Sequence, residues 1–417
     1  MIKLPFLPAI RRLWLFLSAL LVTAVLSGCQ AVLAAPQPTL PPPPPPAEPT
    51  PIPPTPWVMP TLLPSLTPSP LPPPTQPPAP QFTPTITTTP AVMGVFGFPE
   101  GVNPLTGLAV EDLTRLERRP VMVKVSNAPP SVRPQAGLSF ADLVFEYYIG
   151  EGANRFLAVF YGQDAERAGS LRSGRLIDGQ LVSMYQGLLA YGSADPQVDE
   201  VLEETLGDRA ISNLEANCPT FCGRDTHSSP WIYANTASLS NYANKHGISN
   251  TRPPLNGMIF QSEIPESTGT GQKIAVEYGA SRGEWRYNPE SGLYGRWEER
   301  RLNPDDLIPL TDQLNDQHLA FANVIVLFAE YTEFAPTLHD VDIWGNQLGR
   351  KALFFRDGIL VEGSWRTVER GQPIQFFNQY GLPMILKPGT SWIHIVGLNT
   401  DLSQPEPGHW ELRFHLP

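Results

Sequence analysis

Nine polar side chains stand where the first half of the globular sequence should form strand ends and turns: Asn127, Arg133, Gln135, Glu146, Glu151, Arg155, Arg172, Ser173 and Arg175. Arginines beside carboxylates make bidentate, charge-assisted hydrogen bonds, and several arginines in one cleft suit an anionic ligand. Two carboxylates can also divide acid and base roles on a glycan, provided they lie ~5–9 Å apart. Glu146 and Glu151, across a strand end, are the pair that could do so. Plainer readings compete. Glu146 lies in an apolar run, where a lone carboxylate is costly, so it is expected to pair with Arg155 or Arg172 as a structural ion pair. Glu151 and Arg155 flank a turn and fit a turn-stabilising pair as well as a site. Arg172 and Arg175, around Ser173 and ahead of a helix, are the residues best placed to touch a ligand.

These residues need a scaffold. "RPVMVKVSN", Arg119 to Asn127, reads as a buried strand bounded by prolines. "ADLVFEYYI" and "RFLAVFYG" are two more strands, joined by "GEGAN", whose glycines permit a tight reversal. "RFLAVFY" is apolar on both faces and should be covered on both sides. "GRLIDGQLVSMYQ", "DPQVDEVLEETLG" and "TASLSNYANKHG" have helical spacing; Asp195 suits an N-cap, Pro196 the first turn and Gly207 the stop, while Thr236 and Gly247 bound the third. From about Gln272 the chain changes to short strands separated by Gly, Asn and Asp turns. The expected fold class is α+β: a mixed α/β domain over 99–266, a smaller, mainly β domain over 272–400, and a tail over 401–417.

Catalytic patterns are missing. There is no G-x-S-x-G, S-x-x-K, H-E-x-x-H or G-x-x-x-x-G-K-[ST]. Seven histidines are scattered, which gives no metal cluster and no cofactor signature. Cys218 and Cys222, in "NCPTFCGRDTH", are expected to form a local disulfide. Free thiols, or a metal held with Asp225 or His227, are the other readings. Trp285, Trp297, Trp365 and Trp392 could line a sugar-binding face, but at strand positions in a β domain they are expected in the core.

The N-terminus reads as an address. Lys3, Arg11 and Arg12 precede an apolar run, Leu13 to Leu26, too short for an ordinary spanning helix of ~20 residues. "LSGC" then ends at Cys29, and the segment resembles a bacterial lipoprotein signal. That implies cleavage after residue 28, lipid on Cys29, and attachment to the cell membrane on its extracytoplasmic side. Of 49 prolines, 25 fall between Pro36 and Pro90. Such a segment cannot build a core, so 29–98 is expected to be a disordered, extended stalk. The formal net charge of −11, with no basic cluster, argues against nucleic acid as a partner.

Several stretches taken together have a family resemblance. "RPVMVKVSN", "RPQAGLSFADLVFE", "EGANRFLAVF" and "LRSGR" resemble the first domain of the YerB-like bacterial lipoproteins. "YNPESGLYGR", "NVIVL", "DGILVEGSWRTV" and "LKPGTSWIHIV" resemble the second. The resemblance runs from about Asn103 to Leu398 and leaves out the proline segment and the cysteine pair. It implies a lipid-anchored, extracytoplasmic protein with two domains of unknown function, and supplies no reaction. The reading that follows is a non-enzymatic envelope module that binds an anionic cell-wall polymer or a partner protein. The second reading is a glycan-acting enzyme using Glu146 and Glu151.

Overall fold

The computed structural model describes residues 92–223, 231–301 and 303–416. The expected signal peptide, Cys29 and the proline segment up to residue 91 lie outside them.

Apolar runs become the central strands. β1 (Val121–Ser126) is buried at every position. β2 (Leu143–Gly150) and β3 (Ala153–Phe160) form the expected hairpin, with a register shift between Tyr148 and Gly150. At the reversal Gly150, Glu151 and Gly152 have φ of 112°, 52° and 72°. The left-handed conformation comes readily to the two glycines and is uncommon for Glu151. Three helices follow the predicted spacing: α1 (Leu176–Met184), α2 (Pro196–Leu206) and α3 (Thr236–Lys245). Asp195 caps α2 by accepting from the Gln197 main-chain N–H at 3.0 Å. Asn235, not Thr236, caps α3, because its Oδ1 reaches the Ser238 N–H at 2.8 Å while Thr236 is already helical. β4 (Leu188–Tyr191) and β5 (Ala210–Ser212) run parallel to β1.

The second half is built of strands, with no helix among the described residues after Lys245. β6 (Lys273–Tyr278), β7 (Ser281–Asn288), β8 (Leu293–Arg300) and β9 (Asn303–Pro309) form an antiparallel succession. β10 (Asn323–Ala335) turns back through β11 (Leu338–Asp342); β12 (Arg350–Arg356) and β13 (Ile359–Arg366) are another hairpin. β14 (Ser391–Gly397) follows, then β15 (Asp401–Glu406) and β16 (His409–Arg413). The whole is mostly strand with few helices.

Two expectations of organisation are corrected. Residues 99–266 and 272–400 do not fold as separate bodies. One 12-stranded sheet passes through both, with β13, β12, β10, β14, β2, β3, β1, β4 and β5 as neighbours. The joint is the parallel pairing of β2 with β14, Leu143 opposite Ser391 and Tyr147 opposite Ile395. A covered strand such as β2 needs backbone partners on both edges, and β14 supplies the second set. Residues 401–416 are not a tail: β15 and β16 complete the second sheet, where β16 pairs in parallel with β6. The described end of the expected stalk is also docked, since Met93 exchanges main-chain hydrogen bonds with Phe260 at 2.9 Å.

Candidate functional site

Alternation along the strands sends the candidate residues to different places. On β2, Glu146 faces the second sheet and Tyr147 faces α1. The nine side chains therefore separate into two groups, with Glu151 apart from both.

The first group lies where the two sheets meet. Glu146 is fully buried, but its partner is neither Arg155 nor Arg172. Arg296 on β8 donates to its Oε1 at 3.2 Å and Trp392 on β14 to its Oε2 at 2.7 Å. Asn154 also donates to Oε1. Trp285 donates to Nε2 of the buried His394 at 2.9 Å, so the proton of the neutral ring sits on Nδ1, 3.3 Å from Glu146 Oε2. Burial and the Arg296 charge both hold His394 well below its usual range. Arg296 also binds Glu298, with Nε at 2.9 Å and Nη2 at 2.6 Å from Oε2.

Asn127, Arg133 and Gln135 belong to the same network. Arg133 donates from Nη2 to Glu299 Oε1 at 2.8 Å, from Nη1 to the Glu299 carbonyl at 2.7 Å, and from Nε to Asn127 Oδ1 at 2.9 Å. Asn127 donates to Glu298 Oε1 at 2.8 Å, and Gln135 donates to Asn127 Oδ1 at 2.9 Å. Burial pushes Glu146 up to about 7, against Arg296; burial and the neighbouring Glu298 push Glu299 up to about 7, against Arg133. Glu298 is desolvated too, yet Arg296 and Arg133 together hold it below the usual range. The network fastens the loop after β1 and the β2–β3 hairpin to the second sheet. Most of its members are enclosed and hydrogen-bonded to one another, the pattern of a structural core, with Gln135 Oε1 the buried atom left without a partner among the described residues.

Sequence reasoning missed Arg296, Glu298, Glu299 and His394. A signal was present in "YGRWEER": Arg296 and Glu298 are two apart on a strand and so share a face. Gly283, opposite Glu298 in the β7–β8 register, makes the room, because a side chain there would overlap the Arg296 guanidinium.

The second group lies at the carboxyl-terminal ends of β1, β2 and β4, which run in one direction. The segment Leu171–Arg175 crosses there: the Arg172 N–H donates to the Lys124 carbonyl at 3.0 Å, and the Gly192 N–H donates to the Arg172 carbonyl at 2.9 Å. Arg155, opposite Tyr147 in the hairpin, points to the same side and is 7 % exposed. Its Nη1 donates to the Ser173 carbonyl at 2.8 Å. Arg175 Nη1 donates to the Gly174 carbonyl at 2.8 Å and approaches the same Ser173 oxygen at 3.5 Å. Two guanidiniums thus meet at one main-chain oxygen, and neither makes an ion pair among the described residues.

The acid in this group is already engaged. Asp178 takes the buried Lys124 ammonium at 3.0 Å and the Tyr147 hydroxyl on Oδ1, and the Arg175 main-chain N–H at 2.7 Å on Oδ2. Burial, followed by the charges of Arg175 and Arg172, drives Arg155 well below its ordinary value. Burial likewise lowers Arg175, and it brings Lys124 down to about 7 against the pull of Asp178. Arg172, Ser173 and Arg175 are half-buried, so solvent reaches the group's outer side.

Glu151 stands apart, exposed at the hairpin tip. The acid–base pair with Glu146 is not built. Glu146 is enclosed four strand positions from the tip at Gly150, ~13 Å at ~3.3 Å per residue, and no substrate reaches it. Cys218 and Cys222 form a disulfide in the structure. Trp285, Trp365 and Trp392 are fully buried in the core, and Trp297 is half-buried with the Arg286 guanidinium 3.9 Å above its ring.

Comparison with known proteins gives the same outline. Residues 105–249 match the N-terminal domain, and residues 274–393 the C-terminal domain, of the protein family of unknown function DUF3048. A Bacillus subtilis (strain 168) protein described as "Putative lipoprotein YerB" is 28 % identical over 299 residues, covering 70 % of this chain and 85 % of that protein. The crystal structure of the YerB protein from Bacillus subtilis is similar with a TM-score of 0.59 and 27 % identity, over 70 % of this chain and 96 % of that one.

Proposed function

The chain belongs to the YerB-like DUF3048 family, and on that premise we propose that it is a lipid-anchored, extracytoplasmic binding module that holds an anionic envelope polymer at Arg155, Arg172 and Arg175. The observation that carries this reading is the meeting of Arg155 and Arg175 at the Ser173 carbonyl without a carboxylate of their own. A nearly buried guanidinium whose nearest carboxylate, Asp178, is already engaged by Lys124 and Tyr147 is costly, and an incoming anion offsets that cost. The position supports it as well, since ligands of open sheets with parallel strands collect outside the carboxyl ends of those strands. The resemblance of the segment ending at Cys29 to a lipoprotein signal and the description of the Bacillus relative as "Putative lipoprotein YerB" support the anchor.

Co-sedimentation of the full-length protein with purified cell wall tests the reading. Wild type should sediment at low salt and be released as salt rises. Arg155→Met and Arg175→Gln should stay in the supernatant. Equal sedimentation of wild type and both variants would overturn it.

A further inference from the structure

We propose that the group held at the Arg155–Arg175 site is a phosphoryl group rather than a carboxylate. This rests on the anion-binding reading above and narrows its chemistry.

The Arg175 main-chain N–H ahead of α1 is taken by Asp178 Oδ2, so it is not the donor that awaits the anion. Recognition falls to the guanidiniums. A carboxylate is planar, and one arginine fork satisfies both of its oxygens. Here two forks converge on the Ser173 oxygen from different elements, Arg155 from β3 and Arg175 from the start of α1. Arg172 adds a third positive charge close enough to depress Arg155. Arg175 Nε is buried with no hydrogen-bond partner among the described residues, so the chain itself leaves this guanidinium incompletely satisfied. Donors arriving from two different elements suit the several oxygens of a phosphoryl group, and its charge of up to two answers more than one guanidinium. Lys124 stays behind Asp178 and tunes the field without touching the ligand.

The test is calorimetric titration of the full-length protein in detergent with inorganic phosphate and glycerol phosphate, against acetate and citrate at matched ionic strength. The phosphates should bind at least about tenfold more tightly than the carboxylates, and Arg175→Gln should weaken phosphate by about tenfold or more. Arg155→Met, checked by its melting temperature, gives a second variant that removes the buried fork. Citrate bound as tightly as phosphate, and lost in Arg175→Gln, would overturn the phosphoryl assignment while leaving the anion reading standing. Phosphate binding unchanged in both variants would overturn it by placing the ligand elsewhere. If no anion of either class binds, the function proposed above fails with it. Poly(glycerol phosphate) and vesicles containing phosphatidic acid separate the two sources of the group; Arg175-dependent retention on either supports the assignment, and the one that retains the protein identifies the source.

Discussion

Arg296 on β8 donates to Glu146 on β2 at 3.2 Å, and neither side chain is exposed to solvent. The two come from opposite halves of the sequence. Arg296 also neutralises Glu298 at 2.6 Å, so one guanidinium stands between two buried carboxylates. Arg296→Met should therefore cost about 3–5 kcal/mol in urea denaturation, since it strands Glu146 without a cation and leaves Glu298 with Arg133 alone. Adding Glu146→Leu to Arg296→Met should recover part of that loss. A loss below about 1 kcal/mol in the single variant would show that the pair does not hold the halves together.

Glu299 supplies a pH test. Its folded value, about 7, lies above its ordinary 4.5. Between those values the folded state keeps a proton that the unfolded state has released, so stability falls as pH rises through the window. The expected contribution is up to ~1.4 kcal/mol per pH unit, present in full below the unfolded value and lost above the folded one. Glu299→Gln should remove that slope. Denaturation midpoints at pH 5, 6, 7 and 8 decide it; parallel profiles for wild type and variant would count against the assignment.

Arg155 differs from Arg296 in making no direct ion pair, and the acid near it, Asp178, keeps Lys124. Arg155→Met replaces a buried cation with an apolar chain of similar length, and should leave stability within about 1 kcal/mol or raise it. A loss of 3 kcal/mol or more would mean that Arg155 is paired structurally and is not held for a ligand.

Glu151 is exposed with φ of 52°. Glu151→Gln should change stability by less than ~0.5 kcal/mol and leave wall sedimentation unaltered. Any wall-degrading activity of the wild type that vanished in this variant would restore the glycan-acting reading.

Cys29→Ala tests the anchor. The variant precursor should remain unlipidated and uncleaved, and should lose radiolabelled fatty acid. Normal processing of the variant would rule out the lipoprotein signal.

Local chemistry explains which parts were legible beforehand. Asp195, Pro196 and Gly207 bound α2 because caps and stops act over a few residues. "GEGAN" makes a hairpin because Gly150 and Gly152 supply left-handed backbone where the chain turns. The arginines around Ser173 were legible as a polar group for the same reason: they crowd one short segment before a helix. The strands of the first half were readable, but their pairing with β14 was not. An unpaired edge on β2 does not say which strand will cover it, and β14 lies some 240 positions away.

The sequence by itself determined the strand and helix segments and picked out a set of polar residues at their ends, because these are written in adjacent residues or in period. Only the tertiary structure decided what those charges do. Glu146 met Arg296 instead of Arg155 because alternation along β2 turns it towards the second sheet, whereas Arg155 faces the α1 side with Tyr147. That turning apart leaves one set of charges satisfied between two sheets. The other, Arg155 with Arg175, stands at the strand ends with no acid of its own.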